Sequence, residues 1–122
     1  MPKKIFLVED DPFLTDIYTT KLKEAGFDVT ATGDGNGVMP KIKEEKPDLL
    51  LLDIVLPHLD GWEILKMIKE TDGLKDLKVI ILSNLGQKNE VEKGLKLGAV
   101  KYFIKAHYTP KEITEEIKKI LE

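Results

Sequence analysis

The chain has 122 residues, of which 22 are acidic and 19 basic, for a formal net charge of −3. That length accommodates one domain with one substantial core, and 42% hydrophobic with 34% charged residues excludes a disordered tail or a collagen-like repeat. There is no cysteine, so there is no disulfide framework and no thiolate metal site, and all the basic residues are lysine. Specific readers of DNA depend on the planar fork of arginine, so direct nucleic-acid binding is not expected of this sequence.

Met1-Pro2-Lys3-Lys4 leads directly into an apolar run without a small-residue cleavage site, and no apolar run approaches the roughly 20 residues that span a bilayer. A cytoplasmic chain with no membrane segment is therefore expected. Ile5-Phe6-Leu7-Val8 is a continuous apolar run, the pattern of a strand buried on both faces of a parallel sheet. It ends in Glu9-Asp10-Asp11. Asp11-Pro12 supplies an N-cap and a first-turn proline for a helix whose inward face is Leu14, Ile17, Tyr18 and Leu22, with Gly26 past its end. A weaker strand follows over Asp28 to Ala31. Gly33, Gly35, Gly37 and Pro40 then predict a flexible loop and a short helix from Pro40 to Lys46.

Leu49-Leu50-Leu51-Leu52 is the third strand, and it runs into Asp53 and a loop holding Pro57 and Gly61. Ile64, Leu65 and Ile68 mark the next helix, Val79 to Leu82 the fourth strand, and Ser83-Asn84 its end. Val91 and Leu95 mark a helical face, Val100 to Ile104 the fifth strand, and Lys105 its end. Thr109-Pro110-Lys111-Glu112 is a capping box that opens a last helix facing inward through Ile113, Ile117, Ile120 and Leu121. Five strands alternating with five helices predict a three-layer α/β fold with right-handed crossovers and a mostly parallel sheet. Residues 1–122 read as one domain with no linker or output domain.

In such sheets ligands bind beyond the carboxyl ends of the strands, where strand order reverses. Glu9, Asp10, Asp53, Ser83 and Lys105 all stand at strand ends. Clustered carboxylates without cysteine or paired histidine favour a hard cation held by oxygens, and Mg²⁺ fits best. His58 and His107 read as isolated, exposed side chains.

On these residues the chain resembles a response-regulator receiver domain of two-component signalling, over essentially its whole length. Asp10, Asp53, Ser83 and Lys105 are separated by 43, 30 and 22 residues, matching the family spacing. The stretch from Leu52 to Gly61 resembles the family's phosphoacceptor strand and loop, and Lys101-Tyr102-Phe103-Ile104-Lys105 its fifth strand. The resemblance implies a flavodoxin-like (βα)5 doubly wound sheet of order 2-1-3-4-5. It implies that Asp53 accepts a phosphoryl group from a sensor histidine kinase or histidine phosphotransfer protein. Mg²⁺ would be held by Asp10, Asp53 and the Val55 backbone carbonyl, with Glu9 acting directly or through water. Lys105 and Ser83 would each contact a phosphoryl oxygen, and Ser83 with Tyr102 would form the switch that reshapes the surface of the fourth helix, fifth strand and fifth helix for a downstream protein target. Lys88, Lys93, Lys96 and Lys101 would rim that surface, and the chain would be a monomer or a phosphorylation-dependent dimer. It would not be a conventional enzyme but would catalyse its own phosphotransfer.

Three positions depart from the family pattern. Asn84 stands where a small residue is usual. Val55 and Leu85 are both apolar where hydrolysis is often tuned, which predicts slow autodephosphorylation. Ala106 replaces a proline that often follows a cis bond, which predicts a trans Lys105–Ala106 peptide and an altered loop before Thr109. Two other readings compete: a receiver-like scaffold that takes no phosphate, and a flavodoxin-like binding module. Glu9-Asp10-Asp11 would repel a phosphate from the first loop of such a module unless a cation intervened. A hydrolase of small phosphoesters is disfavoured because Val55 stands where haloacid-dehalogenase-type enzymes carry a second acid.

Overall fold

The apolar runs become β1 (Lys4–Val8), β2 (Asp28–Thr32), β3 (Leu49–Leu52), β4 (Lys78–Ser83) and β5 (Lys101–Ile104), joined by α1 (Pro12–Glu24), α2 (Val38–Glu45), α3 (Gly61–Glu70), α4 (Lys88–Lys96) and α5 (Pro110–Leu121). This is a computed structural model that describes residues 2–122. All strand pairs are parallel and the order is β2-β1-β3-β4-β5, as expected of the doubly wound sheet.

Strand alternation divides the core into two layers. Phe6, Val8, Leu50, Leu52, Val79 and Ile81 face Val38 and Ile42 of α2 and Ile64, Leu65 and Ile68 of α3. Ile5, Leu7, Leu49, Leu51, Ile80 and Leu82 face Tyr18 and Leu22 of α1 and Ile113 and Ile117 of α5. The four leucines of β3 are fully buried because helices cover both of its faces. At about 25 cal/mol per Å², each such side chain contributes roughly 2 kcal/mol of burial free energy.

Helix starts follow the capping residues. Asp11 Oδ1 accepts from the amides of Phe13 and Leu14, Asp60 Oδ1 accepts from Glu63, and Thr109 and Glu112 close the capping box of α5. Gly26 takes φ +95, the left-handed geometry that ends a helix.

Four expectations are corrected. Helix α2 spans Val38–Glu45, not Pro40 to Lys46. Pro40 sits in its first turn, where its missing N–H is no loss, and Lys46 turns left-handed at φ 50. The glycine-rich segment before it is no loose loop but a 3-10 turn over Gly35–Gly37, capped by Asp34 Oδ1 accepting from the Asn36 amide at 2.9 Å. Leu95 does not face inward: it is 47% exposed, and the contact of α4 with the sheet is made at buried Gly94. A Cβ there would come within 2.6 Å of Ile81 and 2.9 Å of Tyr102, so a glycine is what lets the helix pack so closely. Strand β5 begins at Lys101, and Val100 is exposed.

Candidate functional site

Register carries the charged residues to one place. Val8 pairs with Leu52 and Leu52 with Ile81, so Glu9 and Asp53 leave neighbouring strands side by side, at the point where order reverses between β1 and β3. The Asp53 amide donates to the Val8 carbonyl at 3.0 Å. Ser83 pairs with Ile104, which sets Lys105 one residue beyond it.

These ends surround a cavity of about 360 Å³ lined by Glu9, Asp10, Asp53, Val55, Ser83 and Lys105, with Asp11, Leu14, Asn84 and Leu85 completing the wall. Carboxylate oxygens of Glu9, Asp10 and Asp53 all lie within 4.8 Å of one another. Glu9 and Asp53 are buried and Asp10 is exposed. The Lys105 ammonium bridges the buried pair, 2.5 Å from Glu9 Oε2 and 2.8 Å from Asp53 Oδ2. Asp53 Oδ1 accepts from the Ile54 amide at 2.7 Å, and Glu9 Oε1 accepts from the Asp11 amide at 3.2 Å.

Burial raises the Glu9 carboxyl above its ordinary 4.5; the Asp53 charge adds to the rise and the Lys105 hydrogen bond opposes it. Burial works against the Lys105 charge, but its contacts with Asp53 and Glu9 outweigh that and hold it above 10.5. One ammonium against three carboxylates leaves two negative charges uncompensated. An all-oxygen donor set with that deficit suits a hard divalent cation.

Ser83 is fully buried, and its Oγ accepts from the Leu85 amide at 3.2 Å. The Leu85 carbonyl in turn accepts from the Tyr102 hydroxyl. Burial, with the Glu90 charge next, raises the Tyr102 phenol above 10.0. Leu85 thus links Ser83 to Tyr102 through its backbone, a role its apolar side chain does not advertise in sequence. Asn84 is exposed at the rim. No cis peptide occurs among the described residues, so the Lys105–Ala106 bond is trans; the chain then makes a 3-10 turn over Lys105–His107. His58 is not isolated, because its Nδ1 lies 2.9 Å from Asp34 Oδ2. Lys93 is turned onto Trp62, its ammonium 4.6 Å from the ring centroid.

A family model for the response regulator receiver domain matches residues 5–118. The chain belongs to the response-regulator receiver family. This receiver is 36% identical over 123 aligned positions to the alkaline phosphatase synthesis transcriptional regulatory protein PhoP of Bacillus subtilis (strain 168), covering 99% of this chain and 49% of that protein. It is 31% identical to the DNA-binding response regulator MtrA of Mycolicibacterium smegmatis, covering 97% of this chain and 50% of MtrA. The receiver therefore spans about half the length of the curated relatives it matches. Among solved structures, the BeF3-activated DrrB receiver domain superimposes with TM-score 0.87 at 31% identity, covering 99% of this chain and 98% of that one. The BeF3-activated N-terminal receiver domain of Klebsiella pneumoniae RstA gives TM-score 0.88 at 29% identity, covering 98% and 99%. Among the described residues, no helix of the receiver is long and apolar enough to cross a membrane.

Proposed function

We propose that Asp53 is the phosphoacceptor of this receiver, taking its phosphoryl group from a phosphohistidine on a sensor kinase or a histidine phosphotransfer protein. The observation that carries this reading is the Lys105 ammonium seated between buried Glu9 and Asp53, inside a three-carboxylate cluster at the reversal point of the sheet. In the transfer, an Asp53 carboxylate oxygen forms the new bond to phosphorus as the histidine P–N bond breaks, and the imidazole nitrogen keeps the electron pair.

Asp10, Asp53 and the Val55 carbonyl would hold Mg²⁺, with Glu9 acting directly or through water. Bound there, the ion would supply positive charge against the phosphoryl oxygens as the bond order shifts. Lys105 is a compact, mobile point charge that can exchange Glu9 for a phosphoryl oxygen. The new group adds about 1.5 to 2 negative charges. Ser83 would turn to donate its hydroxyl proton to another phosphoryl oxygen, and the turn would shift the lone pair that now accepts from the Leu85 amide. Because Leu85 also receives the Tyr102 hydroxyl, that movement would reach β5 and the faces of α4 and α5 and shift a two-state equilibrium.

Phe13, in the first turn of α1, and Val55, on the cavity wall, are 72% and 60% exposed and offer a partner's helix apolar surface to bury beside the acceptor. Residues 1–122 act as one receiver unit in the cytoplasm. Their arginine-free, slightly acidic surface signals to a protein target rather than to nucleic acid. Incubation with acetyl phosphate, with and without Mg²⁺, followed by intact mass tests the reading. A gain of one phosphoryl group that needs Mg²⁺ and is lost in Asp53→Asn is expected; no gain, or an equal gain in Asp53→Asn, would overturn it.

A further inference from the structure

The β2–α2 loop and the β3–α3 loop meet along a seam that the chemistry above does not use. The Gly35 amide donates to the Pro57 carbonyl at 3.2 Å. Gly35 is buried, and a Cβ on it would sit 1.9 Å from the Leu59 carbonyl oxygen, so only glycine lets the two backbones touch. Beside this contact, Asp34 Oδ2 and His58 Nδ1 lie 2.9 Å apart, while the other Asp34 oxygen caps its own turn. His58 holds φ +70, a left-handed geometry that glycine takes without strain and that side chains take only uncommonly. A histidine there costs the fold more than glycine would, and its side-chain contact is the exposed pair with Asp34.

The β3–α3 loop is thereby pinned at two points. At its base the Gly61 amide donates to the Ile54 carbonyl at 2.8 Å; at its tip Pro57 and His58 are held by Gly35 and Asp34. Val55 and Leu56 lie between the pins. We propose that Asp34 and His58 are positioning residues, a latch that holds the β3–α3 loop so that the Val55 carbonyl is offered to the divalent ion. The inference rests on the Mg²⁺ reading proposed above. With the latch open, the loop samples arrangements in which that carbonyl is turned away, and apparent affinity falls by the fraction of time it is misplaced.

His58→Gly separates this role from mere stability, because it removes the latch while relieving the left-handed backbone. The assay is a MgCl2 titration of the ¹⁵N-labelled full chain, followed by amide shifts, with the urea midpoint measured alongside. His58→Gly is expected to unfold at the same or a higher urea concentration yet bind Mg²⁺ about two- to fivefold more weakly, the scale of one exposed pair. Asp34→Ala should weaken binding similarly, and the double variant no further than either single change. In the metal-free His58→Gly chain the Gly35 amide should exchange its hydrogen faster. Wild-type affinity in His58→Gly, or losses that add in the double variant, would overturn the latch while leaving the metal reading intact. Absence of Mg²⁺ binding in the wild type would overturn both.

Discussion

Replacing Lys105 with methionine removes the positive charge that bridges Glu9 and Asp53, whose side chains are 2% and 7% exposed. At an effective dielectric of about 20, contacts at 2.5 and 2.8 Å are each worth roughly 6 kcal/mol of attraction before burial costs. Breaking one side of a buried pair typically costs about 3–5 kcal/mol net. Glu9 has an escape that caps its share. Protonating a carboxyl of ordinary value 4.5 costs about 3.4 kcal/mol at pH 7 but only about 0.7 kcal/mol at pH 5. The folded-state value of Glu9 is already raised, and Lys105→Met removes the contact that opposes the rise. A raised acid favours the fold below its unfolded value and loses that advantage as pH climbs through the folded one. The variant should therefore lose about 3 kcal/mol at pH 7 and about 1 kcal/mol at pH 5, with MgCl2 restoring part of the loss at pH 7. Urea unfolding at both pH values is the assay, and at about 2 kcal/mol per molar the midpoint falls by roughly 1.5 M at pH 7. A loss under about 1 kcal/mol at pH 7, or an equal loss at pH 5, would refute the reasoning.

Three further outcomes are expected. Val55 and Leu85 line the cavity with side chains that cannot orient a water, so phosphorylated Asp53 should persist for minutes or longer by intact mass, and a lifetime of seconds would contradict this. Gly94→Ala should destabilise by about 1–2 kcal/mol in urea despite alanine's better helix propensity, because the new methyl meets Ile81 and Tyr102; a gain in stability would mean that α4 can simply lift away. Burial raises the Tyr18 and Tyr102 phenols above 10.0, so both should ionise late in an absorbance titration. Their stabilising contribution is complete below the unfolded value and is lost as pH rises through the folded ones, and simultaneous ionisation at the ordinary value would refute it.

Most strands and helix starts were legible because each depends on local chemistry, although α2 begins two residues before its expected start and β5 one residue after. A run such as Leu49 to Leu52 has few fates other than a doubly covered strand, and Asp11-Pro12 and Thr109 through Glu112 cap helices wherever they occur. Strand ends were equally readable, which is why Glu9, Asp10, Asp53, Ser83 and Lys105 could be gathered from sequence and meet around one cavity. The individual roles proposed for them came from the family resemblance, since acidity and spacing alone do not distinguish a nucleophile from a metal ligand. What escaped was set by contacts distant in sequence. Gly94 contributes by lacking a side chain, so an apolar periodicity points to Leu95 instead. Gly35 looked like slack because its need for glycine lies in Leu59, 24 residues away. The partner of His58 stands in another loop and leaves no periodic trace.

The alternation that sends Phe6 and Val8 into one layer, and Ile5 and Leu7 into the other, has a consequence for how such a molecule can diversify. Parity ties each clustered side chain to its strand: one residue inserted within β3 would turn Asp53 toward the opposite helices and exchange the layers of the leucines between the insertion and Asp53. Insertions beyond the strand tips carry no such penalty. Loop tips away from the Asp34–His58 contact can therefore be rewritten for new binding specificities while the Glu9, Asp53 and Lys105 side chains beneath them stay in place, held by strand register.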